Sequence, residues 1–533
     1  MSAGRIAVFV CPWGSGKDPV LNMEDLRSYG AGLDGVSMAI SVPRICLAEG
    51  RERMVAALKR AGADRFVAVA CSRRPMEAWY RSVARSAGLH PLAFEVANVR
   101  ERAAMVHEPP AGQDSARRVI LMAVAKARLW SPPPFEEAAP VSREVAVVGD
   151  GLMASLAAMD LSAKGITVHF ISSTEVVREP PGYLFASEEG RRLAHSTVRV
   201  ASEHTRIRFH ASSRVVQCEG TAGDLGLIIA AENGTVPLRC GAVVLAPEPR
   251  AELRSMDGSP APEPARLAAV GARRVAILPS SASTGTGCSC ITPRGTLYAL
   301  QAITGDPSAE VLLLGREIRA MGGFEEVQRQ AQAKGVRFVR VEGEPSVEGE
   351  GPFRVRYRDA LSGEGTFAAD LVLQDVVLTD QAMEAARVLR LPIDERGELL
   401  GIESRLRPGE TVRRGIFACR YRVGDMLFED MALEAGAAAA RACETVEQER
   451  LEMGGQVAEV DQESCSACLG CVRICPYGAP RIGASGKAEI RIELCQGCGA
   501  CVGLCPSRAI DLHLCASAQL LAQARAALGR EGG

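Results

Sequence analysis

Two stretches near the carboxyl end, CSACLGCVRICP (Cys465–Pro476) and CQGCGACVGLCP (Cys495–Pro506), decide how this part of the chain folds. Each follows the pattern Cys-x2-Cys-x2-Cys-x3-Cys-Pro, and the second copy begins 30 residues after the first. Three cysteines spaced this closely can present their thiolates to one cluster of iron and sulfide. The fourth cysteine, which precedes a proline, reaches the neighbouring cluster instead. The spacing therefore predicts two 4Fe–4S clusters.

The exchange of the fourth cysteine gives each cluster its own set of ligands. The predicted sets are Cys465, Cys468, Cys471 and Cys505 for one cluster, and Cys495, Cys498, Cys501 and Cys475 for the other. A zinc site is the alternative, but zinc usually takes two separated Cys-x2-Cys pairs. Gly470, Gly497 and Gly499 are expected to let the backbone approach the inorganic sulfur. Cys515 lies just outside the pattern and is expected to be a buried thiol.

The composition places these cysteines in an ordinary globular protein. The 533 residues suggest three or four domains. The net charge of -2 and the aromatic content of 4% give no reason to expect a nucleic-acid partner. No apolar run approaches the roughly 20 residues that a transmembrane helix needs. Met1–Val10 lacks a cleavage site for a signal peptide, so a cytoplasmic location is expected.

The first 130 residues predict a small α/β domain with a parallel sheet. The predicted strands Arg5–Cys11 and Arg65–Cys71 alternate with the predicted helices Arg51–Ala61 and Met76–Ala87. The run Pro132-Pro133-Pro134 then excludes a helix or a central strand and marks a domain boundary. We therefore expect one domain at 1–130, a second at 141–446 and the cysteine-rich domain at 456–515.

A glycine-rich turn opens the second domain. Gly149-x-Gly151-x-x-Ala154 follows the predicted strand Glu144–Val148 and begins a predicted helix, which is the context of a dinucleotide-binding fingerprint. An acidic residue for the ribose is expected at the end of the next strand, Thr167–Ile171, but Ser172 and Ser173 stand there, and Glu175 follows a little later. The alternative is a Rossmann-type turn that has lost its ligand. A second nucleotide-like subdomain is expected at about 273–380.

This order of domains resembles the A subunit of heterodisulfide reductase and its bacterial relatives. The resemblance covers nearly the whole chain and includes the segment Ala70-Cys71-Ser72-Arg73. Further segments that carry it are Phe94–Glu101, Met122–Leu129, Ile318–Ala320 and Gly415–Phe417. The implied fold is α/β, with a thioredoxin-reductase-like FAD/NAD(P)-binding domain followed by an α+β ferredoxin-like domain.

The resemblance also implies a function. An oxidoreductase subunit of this kind would pass electrons between FAD and the two 4Fe–4S clusters, and on to partner subunits. Those partners would be heterodisulfide reductase B- and C-like subunits or hydrogenase or dehydrogenase modules. Because the cofactors carry the chemistry, no catalytic side chain is expected. The alternative is a subunit for wiring and docking that contains no flavin. A separate NAD(P)H oxidoreductase would need another glycine-rich turn, which Leu313–Ile318 does not contain.

The chain departs from the family at several places. Cys11, Cys46 and Cys71 match an N-terminal cluster site, but Trp13 stands where a fourth cysteine would be, so a third cluster is one ligand short. Arg420 takes the place of a glycine that meets FAD in the family. The family's inserted ferredoxin module is absent between residues 172 and 205. Cys288-x-Cys290 is expected to be a pair of ordinary thiols in a loop.

Overall fold

The computed structural model describes fourteen stretches of the chain, and all structural statements below concern them. They are residues 5–12, 21–73, 76–133, 139–178, 188–248, 250–279, 293–318, 320, 323–378, 381–393, 399–400, 407–420, 428–451 and 456–529. Trp13 and the pair Cys288 and Cys290 lie outside them. The chain forms two compact units, one made of Met1–Ala138 with Glu452–Gly533 and the other of Ala139–Leu451.

The amino-terminal part of the first unit alternates strands and helices. Its elements are β1 (Ile6–Val10), α1 (Met23–Ala31), β2 (Val36–Ser41), α2 (Ala48–Ala61), β3 (Arg65–Ala70), α3 (Glu77–Ser86), β4 (Phe94–Asn98) and α4 (Ala111–Arg128). A π-helical turn at Arg100–Ala104 precedes α4. The sheet is fully parallel, in the order β2-β1-β3-β4.

Strand β1 shows why its residues form a continuous apolar run. All five of its residues are buried. Ala7 and Phe9 pack into the core on one face of the sheet, whereas Ile6, Val8 and Val10 pack into the core on the other. A parallel strand with helices on both faces has no face exposed to water, so the alternation of polar and apolar residues disappears.

The second unit repeats one plan twice. A short strand, β5 (Ala139–Pro140), comes first. The first repeat then contains β6 (Glu144–Val148), α5 (Leu152–Ala163), β7 (Thr167–Ile171), α6 (Glu188–Glu203), β8 (Ile207–His210), β9 (Arg214–Thr221), β10 (Asp224–Ala231), β11 (Gly234–Cys240) and β12 (Ala242–Leu245). The next repeat contains β13 (Arg250–Ser255), β14 (Arg274–Pro279), α7 (Pro293–Gly305), β15 (Glu310–Gly315), α8 (Gly323–Ala333), β16 (Arg337–Arg340), β17 (Ser346–Glu348), β18 (Phe353–Asp359), β19 (Gly363–Ala369) and β20 (Leu371–Leu378). The unit closes with α9 (Gln381–Val388), β21 (Ile416–Ala418), α10 (Phe428–Val446) and β22 (Arg450–Leu451), and two 3-10 turns lie at Pro264–Arg266 and Ala268–Val270.

Each repeat pairs a five-stranded sheet with a three-stranded antiparallel one. The first sheet is parallel throughout, in the order β21-β12-β6-β7-β8. In the second, β13-β20-β14-β15-β16, only β13 runs antiparallel. The first sheet has the doubly wound arrangement of dinucleotide-binding domains, with β6 first in the chain and strands added on both of its sides. Its strand order therefore reverses between β6 and β12.

The carboxyl-terminal part returns to the first unit. It contains β23 (Ala458–Val460), α11 (Gly470–Ile474), β24 (Pro480–Ile482), β25 (Ala488–Ile490), a 3-10 turn at Ile492–Leu494, α12 (Ala500–Leu504), β26 (Ile510–Leu512) and α13 (Ser517–Ala527). The strands form two antiparallel pairs, β23 with β26 and β24 with β25. Helix α13 packs on α4, and the Gln519 side-chain amide donates a hydrogen bond to the carbonyl of Leu129 at 3.3 Å.

The predicted α/β fold, with its Rossmann-like domain and its ferredoxin-like end, is confirmed. The predicted strand Thr167–Ile171 has identical bounds in the structure. The predicted helix Arg51–Ala61 begins earlier, at Ala48. Strand β2 was not predicted, because it lies at the edge of its sheet and none of its residues is fully buried. The domain bounds at 1–130, 141–446 and 456–515 stay predictions.

Replacing Phe66 by alanine tests the packing of the amino-terminal sheet. Phe66 is fully buried, stacks on Phe94 at 5.7 Å between ring centroids and meets Phe9 edge-on at 5.9 Å. We expect Phe66→Ala to lower the free energy of unfolding by about 3–5 kcal/mol, because it leaves a cavity. Urea unfolding of the intact chain measures this loss. Met105→Ala is the control, since that side chain is 67% exposed. An equal loss of unfolding free energy in both variants would contradict the placement of Phe66 in the core.

Candidate functional site

The two cysteine runs adopt the same backbone conformation. Ala467 and Leu469 in the first run have φ values of 54° and 56°, and Gly497 and Gly499 at the equivalent positions have 67° and 78°. Left-handed residues at alternate positions turn the backbone sharply between successive cysteines. The strain on Ala467 and Leu469 is of the kind found at functional sites. Gly470, which was predicted to let the backbone approach sulfur, begins α11, and a Cβ atom on it would lie 3.8 Å from Cys468 Sγ.

The second run meets Cys475 from the first. A cavity is lined by Cys475, Cys495, Cys498 and Cys501, together with mostly apolar residues. Burial raises the pKa of the Cys501 thiol to about 11, and the charges of Cys495, Cys498 and Cys475 act in the same direction. These are the four cysteines predicted to hold one cluster. The geometry supports that assignment, which stays a prediction for the individual ligands.

The other predicted set lies around Cys471. Burial raises the pKa of the Cys471 thiol, and the charges of Cys468 and Cys465 add to the effect. Cys505 packs into the same small core as Cys471 and Cys465. Although burial alone would raise the pKa of Cys505, hydrogen bonds from Ser507 and from the backbone N–H of Ala509 lower it.

Backbone N–H groups point at the cysteine sulfurs. Ala458 donates to Cys495 Sγ at 3.3 Å, and Ala509 donates to Cys505 Sγ at 3.3 Å. Such N–H···S bonds stabilise a reduced cluster and raise its potential, because they offset the added negative charge. Cys515 is partly buried and accepts a hydrogen bond from the Gln456 amide at 2.9 Å, outside both sets.

The donor sets fit 4Fe–4S clusters. Each predicted set contains four thiols, which is the number that a cubane takes from its protein. Within the described stretches, no three His, Cys, Asp or Glu side chains converge on one point where a single metal ion would bind. A cubane does not require such convergence, because each thiolate binds a different iron atom.

Three further thiols gather at the carboxyl ends of the amino-terminal strands. Cys11 follows β1, Cys46 follows β2 and Cys71 follows β3. Burial raises the pKa of Cys71, and the charges of Glu101, Cys11 and Cys46 contribute. Glu101 follows β4, and its Oε2 atom is buried without a hydrogen-bond partner. The four parallel strands therefore bring three thiols and one carboxylate towards the same edge of the sheet.

The glycine-rich turn lies where the sequence predicted it, between β6 and α5. A Cβ atom at Gly149 would lie 2.5 Å from the carbonyl oxygen of Ala246 and 3.0 Å from Ala154 Cβ, so this glycine allows the close packing of strand, turn and helix. A Cβ atom at Gly151 would lie 2.5 Å from Oε2 of Glu248. The same oxygen accepts a hydrogen bond from the backbone N–H of Met153 at 3.1 Å. Sequence reasoning missed Glu248, because no motif links it to the turn.

At the expected ribose-binding position, the residues already form hydrogen bonds with one another. Ser172 is fully buried, and its hydroxyl donates to Oδ1 of Asp150 at 3.0 Å. The same carboxylate accepts from the backbone N–H of Ser173 at 2.7 Å and from its hydroxyl at 2.8 Å. Arg178 Nη2 lies 3.5 Å from Asp150 Oδ2. This carboxylate is thus satisfied without a ribose.

Arg420 contacts a helix of its own unit. Its backbone N–H donates to Oε2 of Glu434 at 3.2 Å, and its guanidinium donates to Oε1 at 3.4 Å. Glu434 belongs to α10 and is 19% exposed. Arg420 therefore has a partner at the position where the family has a glycine. Taken with Glu248, these residues do not fit the pyrophosphate of FAD.

Comparison with known proteins identifies the carboxyl-terminal block. The sequence model of the 4Fe-4S dicluster domain family matches residues 464–509. The cysteine-rich end therefore has the sequence of a 4Fe-4S dicluster domain.

Relatives extend the likeness to nearly the full chain. The A subunit of the H(2):CoB-CoM heterodisulfide,ferredoxin reductase of Methanothermobacter marburgensis is 26% identical over 657 aligned positions, which cover 99% of this chain and 98% of the relative. The iron-sulfur A subunit of the CoB--CoM heterodisulfide reductase of Methanocaldococcus jannaschii is 25% identical, with 89% of this chain and 90% of the relative covered. The chain is therefore similar to the A subunit of heterodisulfide reductases over nearly its full length.

Two further details come from the same comparisons. The 657 aligned positions exceed the 533 residues of the chain, so the relative has a stretch or stretches that this chain lacks. Among solved structures, a thioredoxin reductase from T. acidophilum is 15% identical over 57% of this chain and all of its own length, with a TM-score of 0.38.

Replacing Cys468 by alanine tests the ligand sets. We expect Cys468→Ala to lower the iron content of the anaerobically reconstituted chain by about one cluster, or about four iron atoms, because one cubane loses a ligand. Iron and sulfide analysis of the desalted protein measures the loss. Cys515→Ala is the matched control and should leave the iron content unchanged. Unchanged iron in Cys468→Ala would refute the ligand assignment.

Proposed function

We propose that this chain is the electron-transfer subunit of a heterodisulfide reductase-like redox complex. Two 4Fe–4S clusters held between Cys465 and Pro506 would pass single electrons to partner subunits. The observation that carries the proposal is the cavity in which Cys475 joins the three cysteines of the second run. The likeness to the A subunit of heterodisulfide reductase over 99% of the chain supports it, and so does the domain family match.

The surface near the cysteines suits electron exchange with another protein. Cys468 and Cys498, at equivalent positions of the two runs, are both exposed. Ile474 and Leu504, also equivalent, are 45% and 48% exposed. Exposed apolar side chains beside a cofactor are typical of a surface that docks a redox partner, and such interfaces are often small.

The chain's own residues set the conditions for this transfer. The N–H groups of Ala458 and Ala509 donate to cysteine sulfurs, and the small apolar core that includes Cys471 and Cys501 would limit the access of water to bound clusters. Bound clusters would supply one-electron redox chemistry. Because the clusters would carry the chemistry, no catalytic side chain is expected.

Several finer predictions belong to this proposal. The partners are expected to be heterodisulfide reductase B- and C-like subunits or hydrogenase or dehydrogenase modules, with no nucleic acid. A cytoplasmic location also stays a prediction. Across the described stretches, no helix is long and apolar enough to cross a membrane.

Two cofactors besides the two 4Fe–4S clusters were considered, namely FAD and a third cluster. The sequence predicted FAD at Gly149, Gly151 and Ala154, with a flavin-free role in wiring and docking as the alternative. The contact between Glu248 and Met153 favours the alternative. For a third cluster, Cys11, Cys46 and Cys71 lack a fourth cysteine, and Glu101, whose Oε2 atom is buried, would be the candidate fourth donor at that strand edge.

The iron content of the intact chain tests the proposed function. After anaerobic purification and reconstitution, we expect about eight iron atoms per chain and a broad visible absorption that bleaches on reduction with dithionite. About twelve iron atoms would add the amino-terminal cluster, and Cys71→Ala should then return the count to about eight. A chain that takes up no iron under these conditions would contradict the proposal.

A further inference from the structure

The first sheet of the second unit has one place where a nucleotide would bind. In doubly wound sheets, ligands bind outside the carboxyl ends of the strands, at the point where the strand order reverses. Here that point lies between β6 and β12, which pair in parallel from Val145 with Ala242 to Val148 with Leu245. The turn Gly149–Gly151 follows β6, and Glu248 follows the end of β12 closely. Glu248 therefore stands at the predicted nucleotide position.

The carboxylate of Glu248 fills the space that Gly151 leaves open. A Cβ atom at Gly151 would lie 2.5 Å from Oε2, 2.9 Å from Cδ and 3.0 Å from Oε1 of Glu248. The second glycine of the fingerprint normally allows the pyrophosphate of the dinucleotide to approach the backbone. Here the terminal atoms of the glutamate occupy that approach. A pyrophosphate could enter only if Glu248 moved away.

The amino terminus of helix α5 attracts the carboxylate of Glu248 electrostatically. The N-cap residue Gly151 has no side chain to cap the helix, so Glu248 Oε2 accepts the hydrogen bond from Met153 instead. The amino terminus of a helix carries a partial positive charge that favours anions, and it is the usual binding site of a phosphate. Glu248 thus supplies within the chain the negative charge that a bound pyrophosphate would bring.

Contacts of the neighbouring residues also disfavour a bound dinucleotide. The carboxylate of Asp150 is satisfied by Ser172 and Ser173, so these contacts would have to break before Asp150 could bind a ribose. The guanidinium of Arg420 pairs with Glu434 rather than facing the turn as a free cation. A dinucleotide would therefore meet the carboxylate of Glu248 at its phosphates and would have to displace contacts that are already made.

We propose that Glu248 is an internal substitute for the pyrophosphate, and that this chain does not bind FAD at its glycine-rich turn. The Rossmann-like block then acts as a flavin-free scaffold. Because no flavin splits an electron pair within the chain, electrons enter and leave it one at a time through the 4Fe–4S clusters. This last consequence rests on the proposed function, whereas the closure of the turn by Glu248 does not.

Nucleotide binding by the intact reconstituted chain and its variants tests the proposal. FAD and ADP are the probes, because ADP carries the pyrophosphate and ribose without the isoalloxazine ring. We expect the unsubstituted chain to retain no flavin after desalting. Glu248→Ala should bind ADP at least about tenfold more tightly by isothermal titration calorimetry, because a like charge is removed from the phosphate position. Glu248→Gln should bind with intermediate affinity, since it keeps the volume and loses the charge.

Control variants and iron analysis make each outcome decisive. Glu232→Ala is the matched control, since Glu232 is an exposed glutamate of the same unit on the turn between β10 and β11, and it should leave nucleotide binding unchanged. Retention of FAD at one per chain by the unsubstituted protein would overturn the proposal. Equal affinity of Glu248→Ala and the unsubstituted chain for ADP would also overturn it. Iron is counted in the same samples. A failure of the cluster assignment would lower the iron content but not the ADP affinity, because the turn needs no iron to bind ADP, so the two failures can be distinguished.

Discussion

The two cysteine runs depend on each other, because each predicted cluster takes three thiolates from one run and the fourth from the other. The apolar cluster around them contains five buried residues, two of which are Cys471 and Cys501 themselves. They lie in the described segment 456–529. Its strands are only three residues long. Because these elements are small, bound clusters would add to the stability of the fold as well as carry electrons.

The same segment gains support from the amino-terminal sheet. Helix α13 packs on α4, and the His513 ring lies 3.1 Å from the carbonyl of Ser131. The two ends of the chain therefore form one compact unit. This arrangement places the carboxyl ends of β1, β3 and β4, with their thiols and the carboxylate of Glu101, in the same unit as the predicted clusters.

The second unit shows how a fold can be kept while its ligand site changes. Parallel strands buried on both faces hold the sheet in place regardless of what binds at its edge: Val145 and Val147 pack on one side, Ala146 and Val148 on the other. Residues beyond the strand ends bear no such packing constraint. Glu248, Ser172 and Arg420 all lie there, just after β12, β7 and β21. Substitution at these positions can remove a nucleotide site without disturbing the core.

The sequence by itself determined the features that depend on local spacing. The predicted clusters follow from the intervals between cysteines, and strands such as Thr167–Ile171 follow from continuous apolar runs. Only the tertiary structure decided which distant residues meet. Glu248 is separated from Met153 by 95 positions, yet its carboxylate binds that N–H group. Ser172 likewise meets Asp150 across 22 positions. The pairing of β6 with β12 brings Glu248 to the turn, and since strand pairing is a long-range property, no local motif could reveal that the glycine-rich turn already holds an anion of its own.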